Sequence, residues 1–326
     1  MKLRVACVQL NARLGKVDSN VAKVKHLLST VKKEIDLILL PEFAVTGYNF
    51  PSRDDIEPYL SKAGAGPSAS LARELSDKYK CFTVIGYPEK HEEKIYNSAM
   101  VIDDAGTLIH NYRKTHLYET DEKFGCSENP DSSFPSVRLK LGKNGQKKEV
   151  LTNLGICMDL NPYKFEAPFY EYEFATSCLD NESSLVLVPT AWLSEKSPSI
   201  NDSLSKQEKL NQGQVFEKQF EDQPDYPIEN ADKPSESTVN YWILRFFPFL
   251  SHVRSYFPKK SSKTTVVVCN RVGIEGDTLY TGSSSIFQFD PSQPASDHID
   301  SKNASVNVLG SLGQATEGVL YREIEL

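Results

Sequence analysis

The sequence is short of the features that mark several protein classes. Its six cysteines, Cys7, Cys81, Cys126, Cys157, Cys178 and Cys269, are scattered with no C-x-x-C pair, so neither a disulfide framework nor a zinc knuckle is indicated. Five of the six histidines are isolated, and His116, two positions after Lys114 and able to face the same side, lacks partner histidines nearby, so no metal or cofactor is expected. Long apolar runs are missing too. The most apolar stretch, Tyr241 to Leu250, is too short to span a bilayer and contains Arg245 and Pro248. The first residues, from Met1 to Val8, are charged early and only briefly apolar, which reads as a strand and not as a signal peptide. Positive charge is in deficit: 37 Lys and Arg against 44 Asp and Glu give a net charge of -7. That balance makes nonspecific nucleic-acid binding a poor fit. These absences point to a cytoplasmic protein with neither membrane nor nucleic acid as partner.

What is present is ordinary for a globular chain. Hydrophobic residues make up 39% and charged residues 25%, which excludes global disorder. Apolar runs that read as strands cover Leu3–Leu10, Ile35–Leu40, Cys81–Gly86, Ser98–Ile102, Val150–Cys157, Leu185–Val188 and Thr264–Cys269. Between them, Val21, Val24, Leu28 and Val31 recur at helical spacing, with Asp18 or Ser19 placed to cap. Leu71, Ala72, Leu75 and Tyr79 predict a second helix. Helices alternating with buried strands indicate a layered α/β fold in one domain, residues 1–326. Two polar stretches, about 127–148 and 194–263, read as insertions into it. The Tyr241–Leu250 segment within the second reads as a packing element or a lid.

Three segments share one grammar, a reactive side chain just after an apolar strand. Leu37-Ile38-Leu39-Leu40-Pro41-Glu42 delivers a carboxylate, Leu108 to Lys114 an ammonium, and Leu154-Gly155-Ile156-Cys157 a thiol. Singly, each has a plain explanation: a rim charge, a surface lysine, a small buried hydrophobe. Together they supply the parts of acyl transfer. A thiol needs a base, an oxyanion needs a positive donor, and departing ammonia needs a proton.

These segments resemble the three signature regions of the nitrilase superfamily of carbon–nitrogen hydrolases. Pro41-Glu42-Phe43 with Thr46-Gly47-Tyr48 is similar to the glutamate motif, Tyr112 to Leu117 to the lysine motif, and Gly155 to Asp159 to the cysteine motif. The likeness runs from Val5 to Phe287, with Asn270 to Gly273 and Gly282 to Ser284 resembling a late strand and turn. It implies an αββα sandwich and a metal-free mechanism. Glu42 falls on the general base, Cys157 on the nucleophile, Lys114 on the oxyanion stabiliser and the Met158 N–H on a second donor. A further family glutamate falls on Glu122, with Glu119 close by.

The runs Cys157 to Glu166 and Arg113 to Glu122 are similar to those of fungal amidases that act on N-terminal Asn and Gln of proteins. Asn161-Pro162 stands where many superfamily members carry an Arg-Phe-Pro-Glu-like run. The resemblance implies protein or peptide substrates with a free N-terminal Asn or Gln, and downstream N-degron components as further partners. Such a substrate brings an α-ammonium that needs carboxylates or carbonyls. Asp159, Glu119, Asp121 and Glu166 are candidates, and Trp192 falls where the family builds a pocket wall. An amidase acting on a free small amide or carbamoyl compound is the alternative, and a non-catalytic scaffold the third reading.

Overall fold

The computed structural model describes residues 1–143, 145, 147–222, 230–254 and 262–326. Two six-stranded sheets stack face to face. The first contains β1 (Lys2–Gln9), β2 (Leu37–Leu39), β3 (Phe82–His91), β4 (Lys94–Ile102), β5 (Leu108–Arg113) and β14 (Gly318–Glu325), in the order β14-β1-β2-β3-β4-β5. The second contains β6 (Ser136–Leu141), β7 (Lys148–Leu154), β8 (Leu185–Pro189), β9 (Thr264–Cys269), β12 (Ser285–Phe289) and β13 (Val306–Ser311), in the order β13-β12-β9-β8-β7-β6. A separate hairpin pairs β10 (Val272–Glu275) with β11 (Thr278–Thr281).

The sheets share one plan. β1, β2 and β3 run parallel at the centre of the first, and β7, β8 and β9 at the centre of the second. Antiparallel strands close both edges. Central strands covered on both faces are apolar throughout, as the runs Leu37–Leu39 and Leu185–Pro189 require. In β1 the side chains alternate: Val5 and Cys7 join the core between the sheets, while Ala6 and Val8 join a second core. That second core includes Val24 and Leu28 of the helix Val17–Ser29 and Leu71, Ala72 and Leu75 of the helix Gly66–Tyr79. On the far side of the molecule, Phe174, Cys178, Trp242, Ile243 and Phe246 belong to the helices Glu173–Asp180 and Glu236–Arg245 or adjoin them. The result is the αββα sandwich.

Several boundaries differ from the sequence reading. The first helix starts at Val17 with Lys16 at its cap and no capping side chain, so Asp18 serves the first turn by its charge. β7 stops at Leu154, short of the nucleophile position. Residues 136–141, inside the stretch read as the first insertion, form edge strand β6. The second stretch, 194–263, carries the helices Lys206–Asp222 and Glu236–Arg245, and part of it lies outside the described residues. Trp242, Ile243 and Phe246 are fully buried, so Tyr241–Leu250 acts as a packing element, yet Tyr241 itself faces a cavity.

Phe246 meets Phe174, Phe249, Phe287 and Phe289 at ring-centroid distances of 5.9 to 6.1 Å, fastening the outer helices to the second sheet. Phe246→Ala is expected to destabilise the fold by about 3–5 kcal/mol, read from the urea midpoint. A change below about 1 kcal/mol would mean that the outer layer is held elsewhere.

Candidate active site

The parallel strands deliver their reactive groups from the chain just beyond their carboxyl ends, where α/β sheets place ligands. Glu42 follows β2, Cys157 follows β7, and Ala191 and Trp192 follow β8. Lys114 directly follows edge strand β5. Two of these approaches depend on glycine. A Cβ at Gly86 on β3 would stand 2.7 Å from both Glu42 Cα and the Pro41 carbonyl oxygen. A Cβ at Gly155 would stand 2.6 Å from the Phe174 ring. Backbone tension follows on both sides: Phe43, next to Glu42, has φ 45°, and Cys157 has φ 44°, values that non-glycine residues rarely adopt. Gly86→Ala is expected to lower kcat by about 10²-fold by displacing the Glu42 backbone, with the circular-dichroism spectrum retained. An unaltered kcat would show that the close approach has no catalytic consequence.

The side chains meet in a fully buried charge cluster. Lys114 Nζ donates to Glu42 Oε1 at 2.8 Å and to Asp121 Oδ2 at 2.6 Å. Asn97 Nδ2 donates to the same two carboxylates, at 2.6 Å to Glu42 Oε1 and 2.8 Å to Asp121 Oδ1. The Ala191 N–H donates to Glu42 Oε2 at 2.7 Å, and the Tyr118 N–H to Asp121 Oδ2 at 2.9 Å. Thus each carboxylate is held in orientation by three donors, and the cluster has two carboxylates for one ammonium.

That imbalance sets the protonation chemistry. Burial raises the Glu42 carboxyl, Lys114 offsets this in part, and Asp121 adds to the rise. Burial alone would lower Lys114, but Asp121 and Glu42 overcome it and hold an ammonium. Burial also pushes the Cys157 thiol well above its usual range, with the Glu42 carboxylate adding to the effect. Cys157 therefore rests as a thiol beside a carboxylate of raised basicity, the starting point for general-base activation.

Cys157 and Met158 line a cavity of ≈ 400 Å³ together with Tyr48, Tyr118, Trp192 and Tyr241. A larger cleft of ≈ 770 Å³ lies around Met1, Arg4 and Lys143 and carries none of these groups.

The sequence candidates separate clearly. Glu42, Lys114 and Cys157 come together, and Met158 and Trp192 face the cavity. Glu122 does not join them. It is exposed on the helix Glu119–Lys123, and the carboxylate that reaches Lys114 is its neighbour Asp121. Glu119, also exposed, is not among the cavity-lining residues. Asp159 is buried and already engaged: Oδ1 accepts from the Thr115 and His116 N–H groups, and Oδ2 from the Ile156 N–H and the Tyr112 hydroxyl. It braces the lysine and cysteine loops against each other and has no free face for a ligand. His116 is spent likewise, with Nδ1 3.0 Å from the Asn161 carbonyl oxygen. Sequence reasoning missed Asn97, which carries no motif signal. It weighed Asp121 only for ammonium binding, because a tyrosine at the cap position gives no capping signature, and the bond from the Tyr118 N–H that helps to fix this carboxylate is visible only in the structure.

Cys157, Glu42 and Lys114 gathered at the strand ends of an αββα sandwich form the arrangement that the sequence resemblance implies for a carbon–nitrogen hydrolase. The carbon–nitrogen hydrolase family model matches residues 4–160. The protein N-terminal amidase of Saccharomyces cerevisiae is 34% identical, over 100% of this chain and 95% of its own length. The chain belongs to the carbon–nitrogen hydrolases of the nitrilase superfamily, and protein N-terminal amidases are among its full-length relatives. A crystal structure of N-terminal amidase with an Asn-Glu-Ala peptide superposes with TM-score 0.86 at 33% identity, covering 99% of this chain and 97% of that one. One with a Gln-Gly peptide gives TM-score 0.85 at 34% identity, with the same coverage.

Asp121→Asn tests the charge cluster. It removes a group that raises Glu42 and weakens an anchor of Lys114. A general base acts when deprotonated, so lowering the Glu42 pKa should move the acid limb of kcat/KM to lower pH, while kcat falls by about 10²-fold. An acid limb that stays in place or moves upward would contradict the coupling.

Proposed function

We infer that the chain is a protein N-terminal amidase, hydrolysing the side-chain amide of an N-terminal Asn or Gln to the acid with release of ammonia. The observation that carries this reading is the buried Glu42–Lys114–Asp121 cluster beside Cys157, in a chain that aligns over its full length with an N-terminal amidase. The peptides named with the solved relatives begin with Asn or Gln. The 326 residues work as one domain. The acidic N-terminus produced would feed an N-degron route in the cytoplasm.

In this mechanism Glu42 takes the Cys157 thiol proton as the sulfur attacks the amide carbon. The carbonyl oxygen becomes an oxyanion held by Lys114 and the Met158 N–H. Collapse of the tetrahedral intermediate breaks the carbon–nitrogen bond, and Glu42 returns its proton to the nitrogen so that ammonia leaves. Water then gives a proton to Glu42 and attacks the thioester. The second collapse releases the carboxylic acid and restores the thiol. Asp121 keeps Lys114 charged and aimed while Glu42 changes protonation state.

Mass spectrometry on synthetic peptides tests the reading. Asn- and Gln-initiated peptides should be converted to acids, their acetylated and internal-Asn counterparts should not, and Cys157→Ser should abolish the conversion. Equal reaction of the acetylated peptide, or a preference for free small amides, would favour a general amidase.

A further inference from the structure

We propose that Glu195 is the residue that recognises the substrate's α-ammonium, an assignment that rests on the amidase reading above. The chemistry fixes where such a group must stand. The side-chain amide enters first and reaches Cys157 at the base. In Asn, three bonds separate the amide carbon from the α-nitrogen, so the two lie within about 4 Å of each other. Gln adds one methylene. The ammonium therefore stops just outside the reaction centre, at the level where the peptide chain leaves.

The carboxylates named by sequence reasoning do not serve that position. Asp159 and Asp121 are fully buried and committed to other donors. Glu119 and Glu166 are exposed and not among the lining residues. Of the described residues that line the cavity, Glu195 is the one carboxylate, and no lysine or arginine accompanies it. Its Oε2 lies 3.4 Å from the Ser237 hydroxyl, at the margin of a hydrogen bond, so its accepting capacity is largely unspent. Neutral acceptors around it are engaged: Asn161 Oδ1 takes the Tyr241 hydroxyl, the Trp192 carbonyl the Thr281 N–H, and the Ser194 carbonyl the Ser197 N–H.

Charge then orders the cavity from end to end. The buried Lys114 ammonium lies near enough to Cys157 to act on it electrostatically, and Glu195, which lines the same cavity as Cys157, is exposed. A substrate that is neutral at its amide and positive at its α-nitrogen is oriented by the pair. The long, exposed glutamate stem also suits two substrates. Its torsions let one carboxylate follow an ammonium that moves outward by one methylene between Asn and Gln. Aspartate at this position would lose reach toward the deeper ammonium of Asn first.

The experiment compares kcat and KM for Asn- and Gln-initiated peptides with their des-amino analogues, in which hydrogen replaces the α-amine. Wild-type protein should favour the free ammonium by about tenfold or more in kcat/KM. Glu195→Gln should bring that ratio close to one, mainly through KM. Glu195→Asp should keep more of the preference for Gln peptides than for Asn peptides. Wild-type KM should rise as the α-amine deprotonates near about pH 8, and this rise should flatten in Glu195→Gln. If Glu195→Gln keeps the wild-type ratio, the assignment is overturned and the amidase reading stands. If wild-type protein converts neither Asn nor Gln peptides, the amidase reading fails and the assignment with it.

Discussion

A lysine with no exposure to water would shed its proton unless anions surround it. Lys114 keeps its charge because Glu42 and Asp121 both bind it, and Asn97 ties the two carboxylates to each other. Each partner arrives on a different element: Glu42 beyond a central strand, Lys114 beyond an edge strand, Asn97 on β4, Asp121 on a short helix. Breaking a buried pair from one side costs about 3–5 kcal/mol, because the orphaned charge stays in the dry interior. The same desolvation makes Glu42 a stronger base than a surface carboxylate. Stability and reactivity thus draw on one cluster.

The sandwich gives this cluster its precision. Parallel strands from both sheets end on the same side, and glycines at Gly86 and Gly155 let neighbouring chain come closer than any side chain would allow. The left-handed conformations at Phe43 and Cys157 sit where packing on several sides can sustain them. Rigidity here matters to the proposed mechanism, in which Cys157, Glu42 and Lys114 all act on one carbon atom.

Much of this was legible in the chain itself. The central strands are continuous apolar runs, since burial on both faces permits nothing else, and they were read nearly to their ends. Glu42 and Cys157 stand out because each follows such a run, whereas Lys114 follows edge strand β5, whose mixed composition leaves the lysine legible only through its motif. Edge strands β6, β13 and β14 escaped, being half-exposed with mixed composition, and β14 is defined only by its pairing with β1 across the chain. The fourth buried group was assigned one residue too far along, to Glu122 in place of Asp121. On a five-residue helix, adjacent carboxylates differ by a rotation that the linear pattern does not encode. Glu195 had no motif to announce it, since its place depends on where the chain beyond β8 folds back over the cavity.

The excess of negative charge around Lys114 also bears on the end of each turnover. An amide enters uncharged and an acid departs, so the product acquires an anion beside two carboxylates that share a single cation. In a dry recess such repulsion is weakly screened. In the proposed reaction, the site that accommodates the neutral amide is therefore less suited electrostatically to the anionic acid that it makes.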